Sequence, residues 1–182
     1  MLLSMCLEQE TLTSMDDMMK RELENRCWPP TYIATVTYGK EEFAELEIGD
    51  ALFPLDPEIN ICKASYGGVL LIKTSLTEEA AIKLLSLNPP STLRRFMKIL
   101  FCCEYSELTE CLSNNINILS KINFSSLRVS ERSGINYEQV MRLLNKVGYQ
   151  LRKKETSLTL SVEPIRNFIC FTKQLPVITH VR

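Results

Sequence analysis

The sequence has little of what most metal and catalytic sites are built from. Its 182 residues include one histidine, His180, and seven cysteines, no two of them in a C-x-x-C arrangement. The closely spaced Cys and His ligands of a zinc site are therefore missing. The glycines of "YGK" and "YGG" are isolated and do not form a phosphate-binding loop. We expect no metal, no cofactor and no catalytic activity.

Long apolar runs are also missing. None approaches the ~20 residues that a membrane-spanning helix needs, and the start "MLLSMCLEQE" lacks the basic leader and cleavage site of a signal peptide. We expect no membrane association and a cytoplasmic location. The cysteines in apolar runs such as "ILFCC" and "FICFT" are expected to be small buried side chains. A disulfide is the alternative if the source is a hyperthermophile.

The charges are unevenly distributed although the net charge is only −1. Residues 1–93 contain 7 Lys and Arg against 15 Asp and Glu, a balance of −8. Residues 94–182 contain 14 against 7, a balance of +7. Two halves of opposite charge predict two structural units, the second of them suited to a polyanion.

The first half predicts alternating strands and helices. We expect an N-terminal helical extension over residues 1–29, ended by the prolines of "WPP". Strands are predicted for "TYIATVTY", "EINICKASY", "VLLIKTS" and "LRRFMKILFCC". Between them, "GKEEFAELEIGDALFPL" predicts a helix with Phe43, Leu46 and Ala51 directed inward, and Thr77 predicts the N-cap of a second helix. The order β-α-β-β-α-β predicts a ferredoxin-like domain over residues 30–103.

The second half, residues 104–182, predicts another α/β unit, so the chain as a whole is predicted to be α+β. One helix is expected over "YSELTECLSNNINILSKI". In the strand "SSLRVSE", Leu127 and Val129 are predicted to lie opposite Arg128. Asn136 and Gln139 predict a capping box at the start of the next helix. A hairpin is predicted around "EPIRN".

Basic side chains lie on this strand, in the turn after it and on the helix. Arg128 and Arg132 are predicted to share one side of the strand, and Arg142 and Lys146 one face of the helix. Guanidinium groups bind phosphate bidentately, and the scarcity of exposed aromatics favours folded RNA recognised by shape over single-strand stacking. Exposed helix ion pairs are the alternative for Arg142 and Lys146. The candidate RNA-binding residues are Arg94, Arg95, Arg128, Arg132, Ser133, Arg142, Lys146, Arg152, Lys153 and Lys154.

Two segments of the chain resemble a known family. "FSSLRVSERSGINYEQVMRLLNKVG" followed by "LTLSVEPIRNFICFT" resembles the later part of a THUMP domain. "YGGVLLIKTSLTEEAAIKLL" resembles the ferredoxin-like unit that precedes THUMP domains. The resemblance covers residues 31–173 and makes residues 104–182 a THUMP-like RNA-binding domain. The segment "YQLRKKETSLTLSVE" departs from the family in lacking its Asp and Asn-Pro-Asp features.

This resemblance implies a function. THUMP proteins bind tRNA at the acceptor end, and the sequence ends just after the THUMP-like strands. We therefore expect a stand-alone, non-catalytic adaptor that presents tRNA to a separate modification enzyme, such as a tRNA cytidine acetyltransferase. Two alternatives stay open: a protein-interaction or regulatory subunit that uses the fold without binding RNA, and a small enzyme with an unrecognised site.

Overall fold

A computed structural model describes residues 25–152 and 157–177. Most of the predicted N-terminal extension, together with Lys153, Lys154 and His180, lies outside these ranges. None of the helices in the two ranges has the length and apolar character that a membrane crossing requires. The elements in chain order are β1 (Tyr32–Val36), α1 (Glu41–Leu52), β2 (Asn60–Lys63), β3 (Val69–Lys73), α2 (Glu78–Leu87), β4 (Leu93–Glu104), α3 (Leu108–Asn114), α4 (Ile116–Ser120), β5 (Ser126–Val129), α5 (Tyr137–Lys146), β6 (Thr159–Ile165) and β7 (Phe168–Gln174).

The fold is mixed α+β, and the described residues form one seven-stranded sheet in the order β2-β3-β1-β4-β7-β6-β5. β5 and β6 are parallel and the other neighbours antiparallel. The order β-α-β-β-α-β predicted for the first half is present. The long strand β4 pairs with β1 on one side and with β7 on the other, so the sheet continues past the predicted boundary at residue 103. A separate ferredoxin-like domain and the domain boundaries stay predictions.

Helices α1 and α2 pack on one face of the first four strands. Thr77 caps α2 as predicted, its hydroxyl accepting a hydrogen bond from the Ala80 N–H at 3.3 Å. Of the three apolar residues predicted to face inward on α1, Ala51 is buried, whereas Phe43 and Leu46 are 51% and 66% exposed. The buried stripe is instead Ala44, Ile48, Ala51 and Leu52. The small side chain of Ala44 lets the helix lie close to the sheet, and this turns the larger neighbouring side chains to the outside.

Helices α3, α4 and α5 pack on the second part of the sheet around Leu112, Phe124 and Phe171. The single helix predicted before β5 is broken at Asn115, whose side-chain amide donates to the Cys111 carbonyl at 2.8 Å. An asparagine that bonds backbone groups in this way competes with the helix ladder.

The capping box predicted for α5 is confirmed. The Asn136 side chain accepts from the Gln139 N–H at 2.9 Å, and the Gln139 side chain accepts from the Asn136 N–H at 2.8 Å. Helix α5 therefore begins where the sequence predicts, and its buried residues Val140 and Leu144 fix which side faces the sheet.

The hairpin of β6 and β7 joins the two halves. It turns at Arg166, within the predicted "EPIRN". Ile165 and Cys170 of this hairpin share a buried cluster with Ile33, Leu71 and Met97 of the first strands. Those residues alternate with side chains that face α1 and α2, so the hairpin packs on the opposite face of the sheet.

Six cysteines in the described ranges form three disulfides, Cys27–Cys62, Cys102–Cys170 and Cys103–Cys111, where the sequence analysis expected small unpaired side chains. The pairings join residues 35, 68 and 8 positions apart in the chain, so spacing alone gave no signal for them. Disulfides are common in oxidising compartments and in intracellular proteins of hyperthermophiles. The cytoplasmic location therefore stays a prediction.

Candidate nucleic-acid interface

A cleft of about 500 Å³ lies where the two halves meet. One side comes from the end of β1, the turn before β3 and the start of β4. The other side comes from β5, the turn after it and β6. Four of the ten predicted RNA-binding residues line it: Arg94, Arg95, Arg128 and Arg132. We call it the arginine cleft.

The two arginines of β4 are held by threonines of β1 and the residue after it. The Arg94 Nε donates to the Thr37 hydroxyl at 3.2 Å, and the Arg95 Nε donates to the Thr35 hydroxyl at 3.2 Å. β1 and β4 are hydrogen-bonded neighbours with Thr35 opposite Arg95. The sheet register therefore holds Arg95 in place, and the bond to Thr37 holds Arg94 beside it, so both side chains line the cleft.

Arg95 also forms a buried ion pair with Glu163 of β6. The Arg95 Nη1 lies 3.7 Å from the Glu163 Oε1, which is too long for a hydrogen bond. Glu163 is only 5% exposed. Both atoms are buried, and neither has a hydrogen-bond partner among the described residues. Buried polar groups are normally hydrogen-bonded, so the Arg95 donor and the Glu163 acceptor are left for water or a ligand to satisfy.

Burial controls the ionisation of this pair. It raises the pKa of the Glu163 carboxyl, and the charges of Arg95 and Arg128 oppose that rise. Burial likewise lowers the pKa of Arg95. The charge of Arg128 lowers this pKa further, and the charge of Glu163 opposes the shift. Both shifts arise because a low-dielectric site disfavours charge. An anion bound beside Arg95 and Arg128 would relieve the crowding of positive charge.

Arg132 crosses from the second half to the first. Its Nη1 donates to the Gly67 carbonyl at 2.9 Å, and its guanidinium lies 5.1 Å from the centre of the Tyr66 ring. Tyr66 in turn donates from its hydroxyl to the Pro164 carbonyl. A Cβ at Gly67 would lie 2.4 Å from the exposed Tyr38 ring, so a larger residue at this position would require that ring to move.

The prediction that Arg128 and Arg132 share a strand side is wrong. β5 ends at Val129, and Arg132 belongs to a short 3₁₀ turn that follows. The two side chains meet because the chain turns back at this point. Ser133 stabilises the turn: it is buried and donates to the Ser130 carbonyl at 2.6 Å. Because the Ser133 hydroxyl is not exposed, it cannot make the predicted contact with RNA.

Among the described residues, three more of the predicted RNA-binding residues lie outside the arginine cleft: Arg142, Lys146 and Arg152. Arg142 forms an exposed ion pair with Glu138 at 3.4 Å, the alternative that the sequence left open. Arg142 and Lys146 border a separate groove of about 360 Å³ between α5 and the start of α3. Arg152 is exposed beyond α5, where its backbone N–H donates to the Phe124 carbonyl. The described candidate residues therefore do not all form one site.

The sequence analysis missed Glu163 and Tyr66, which lie far along the chain from the arginines they contact. One signal was available for Glu163: a lone carboxylate within the apolar strand "LTLSVEPI", where a charged group must be paired or exposed. Across the described ranges, no group of His, Cys, Asp and Glu is arranged to hold a metal ion.

Comparison with known proteins shows the fold alone. No protein-family model matches the sequence, and neither does any curated protein. PH1313 from Pyrococcus horikoshii is 12% identical over 80% of this chain and 55% of its own, with a TM-score of 0.53. TrmN from Thermus thermophilus is 16% identical over 80% of this chain and 45% of its own, with a TM-score of 0.55. The chain therefore spans about half the length of these two proteins.

Proposed function

We propose that this protein is a non-catalytic RNA-binding adaptor, which holds folded tRNA near its acceptor end and presents it to a separate modification enzyme. One observation carries the proposal: Arg94, Arg95, Arg128 and Arg132, from both halves of the chain, converge on one cleft. The resemblance to THUMP domains supports tRNA as the RNA, and a tRNA cytidine acetyltransferase as the class of enzyme served.

The chemistry of the cleft supports a phosphate ligand. Four guanidinium groups surround it, against the carboxylates of Glu131 and Glu163. An excess of positive charge within a concave surface concentrates its field and attracts polyanions. Guanidinium groups also bind phosphate oxygens through paired hydrogen bonds. Such contacts position an RNA without reading its sequence, which fits a protein that must accept many tRNAs.

The cleft is suited to binding more than to chemistry. Its buried carboxylate, Glu163, is paired with Arg95, and the Ser130 hydroxyl and the charge of Arg128 also act on it. We therefore assign it the role of holding Arg95 in place, and we assign the reaction on the tRNA to the partner enzyme.

The test is binding of the full chain to tRNA over a salt series, with an unstructured RNA of equal length as competitor. We expect affinity to fall steeply with salt, because phosphate contacts release counterions. Arg128→Glu with Arg132→Glu should weaken binding about 100-fold. Arg142→Glu with Lys146→Glu is the matched control, since it changes the net charge equally outside the cleft. Equal losses in both variants would contradict a specific site.

The adaptor role is tested separately. A tRNA cytidine acetyltransferase is assayed with and without the chain, and with the Arg128→Glu, Arg132→Glu variant. Stimulation by the wild type alone supports presentation of tRNA. RNA binding without stimulation would restrict the function to binding or to service of another enzyme.

One observation favours the alternative of a protein-interaction subunit. Phe43 and Leu46 are exposed on α1, and apolar groups grouped on a surface often mark a contact with protein. Absence of tRNA binding at low salt would leave this alternative standing.

A further inference from the structure

Helix α1 carries an apolar face that no described residue covers. Phe43 and Leu46 lie one turn apart on it, and Phe53, two turns further on, caps its C-terminal end on the same side. All three are exposed, as is the adjacent Leu55. Isolated exposed apolar residues are ordinary, whereas several on one helix face indicate a binding surface.

The charge around this face limits what can cover it. Residues 37–60 contain seven Asp and Glu and one Lys, a balance of −6. Two of the carboxylates belong to α1: Asp50 lies one turn after Leu46 on the same side, and Glu45 is half-buried at the edge between this side and the buried stripe. We call Phe43, Leu46, Phe53, Glu45 and Asp50 the acidic face. A polyanion, an anionic lipid surface or a second acidic face would be repelled. Residues 1–24, with six acidic against two basic residues, carry the same sign.

The groove beside α5 has the opposite character. Tyr105, Leu108, Ile135 and Leu143 give it an apolar lining, and Arg142 and Lys146 stand at its border. Its volume of about 360 Å³ is within the ~300–1,000 Å³ range of natural ligand pockets. We call it the basic groove. The partner of Arg142, Glu138, is an exposed residue of the same helix, and an exposed pair of this kind is easily exchanged for another.

We propose that the acidic face of one copy of this chain docks into the basic groove of a second copy. Aromatic and aliphatic side chains of α1 would enter the apolar groove, while Glu45 and Asp50 would approach Arg142 and Lys146. The contact is heterologous, because each copy uses a different surface. Two acidic faces packed together would oppose like charges, which excludes a symmetric face-to-face contact.

The association goes beyond RNA binding and does not depend on it. The arginine cleft shares no lining residue with the basic groove, so it remains open in an assembled copy. A head-to-tail pair would present two arginine clefts to one RNA, and linked sites bind more tightly than single ones.

The test is sedimentation velocity of the full chain over a concentration series up to about 0.1 mM, at low and high salt. We expect the mass to rise with concentration and the association to weaken with salt. Glu45→Lys with Asp50→Lys should leave a monomer, as should Arg142→Glu with Lys146→Glu. A 1:1 mixture of the two variants should associate again, because each reversed surface then meets its complement. If Glu45→Lys with Asp50→Lys does not fold, it is replaced by Leu46→Gln, a substitution of an exposed residue on the same helix.

Two results would overturn the inference: a wild type that stays monomeric throughout the series, or a mixture of the reversed variants that does not associate. Arg128→Glu with Arg132→Glu separates this inference from the RNA proposal, since it should weaken tRNA binding about 100-fold and associate like the wild type. RNA affinities are measured at protein dilutions where the chain is monomeric.

Discussion

The arginine cleft and the residues Arg142 and Lys146 on α5 are both clusters of positive charge, but their side chains are held in different ways. In the cleft, Arg95 and Arg132 are fixed by hydrogen bonds to Thr35 and Gly67, which lie 60 and 65 positions away in the chain. On α5, Arg142 has an i,i+4 pair in which both side chains are more than three-quarters exposed. A group of charges becomes a candidate site when distant segments hold it in place. Neighbouring charges on a helix are usually solvated surface.

The largest expected difference between the two clusters is in stability. Arg95→Met should lower the free energy of unfolding by about 3 kcal/mol, because Glu163 would be left buried without its cation. Arg142→Met breaks the exposed pair with Glu138 and should change the free energy of unfolding by less than about 0.5 kcal/mol. Urea unfolding measures both. Arg95→Met with Glu163→Leu should recover most of the loss, and similar values for the two single variants would contradict the comparison.

The next difference is in RNA binding. Arg128→Ala should weaken tRNA affinity about tenfold at low salt and reduce the slope of log affinity against log salt by about 0.9, the loss of one phosphate contact. Arg142→Ala should leave the slope unchanged. Titrations at four salt concentrations give both slopes. A lower slope for Arg142→Ala alone would move the RNA site to α5.

A smaller effect tests whether the position of helix α5, and not the charge on it, contributes to tRNA binding. Asn136→Ala removes the capping box and should lower the free energy of unfolding by about 1 kcal/mol. Its tRNA affinity should not change. Asn145→Ala, an exposed site in the last turn of the same helix, is the control and should have no destabilising effect. A large loss of tRNA affinity in Asn136→Ala would show that the helix takes part in binding.

The smallest expected effect is a dependence on pH. Burial raises the pKa of Glu163 above its ordinary value of 4.5. As the pH falls toward that ordinary value, this carboxylate takes up a proton before ordinary glutamates do. The cleft loses a negative charge, so tRNA affinity should rise about threefold. The free energy of unfolding should also rise as the pH falls, because the folded state favours the neutral form of Glu163. This contribution is lost as the pH rises through the raised pKa.

The control for this pH dependence is Glu163→Gln, which should show a flat profile over the same fall in pH. Glu138→Gln, which neutralises the exposed partner of Arg142, should keep the wild-type profile. A pH dependence that persists in Glu163→Gln would assign it to another group.

Local signals in the sequence predicted much of the fold. The capping box of α5, the cap of α2, the hairpin at Arg166 and the alternation of Leu127 and Arg128 each depend on residues close together in the chain. Such features are determined by nearby backbone hydrogen bonds and by the repeat of helix or strand.

What the sequence could not predict depends on distant contacts. The face of α1 was misassigned because the helix has large apolar residues on two sides, and only packing against the sheet decides that Ala44 and Ile48 are buried. In the cleft, Arg94 and Arg95 were predicted, but their meeting with Arg128 depends on how the hairpin folds back. Glu163 was missed for the same reason.

The Cys102–Cys170 bridge has a topological consequence. It links residues 68 positions apart, so the segment between them is a closed covalent ring that carries Arg128, Arg132 and Glu163. A single protease cut anywhere inside that ring would leave one connected molecule until a reductant opened the bridge. On a gel, such a nicked chain would run intact without reductant and as fragments with it, which makes the bridge visible without any binding assay.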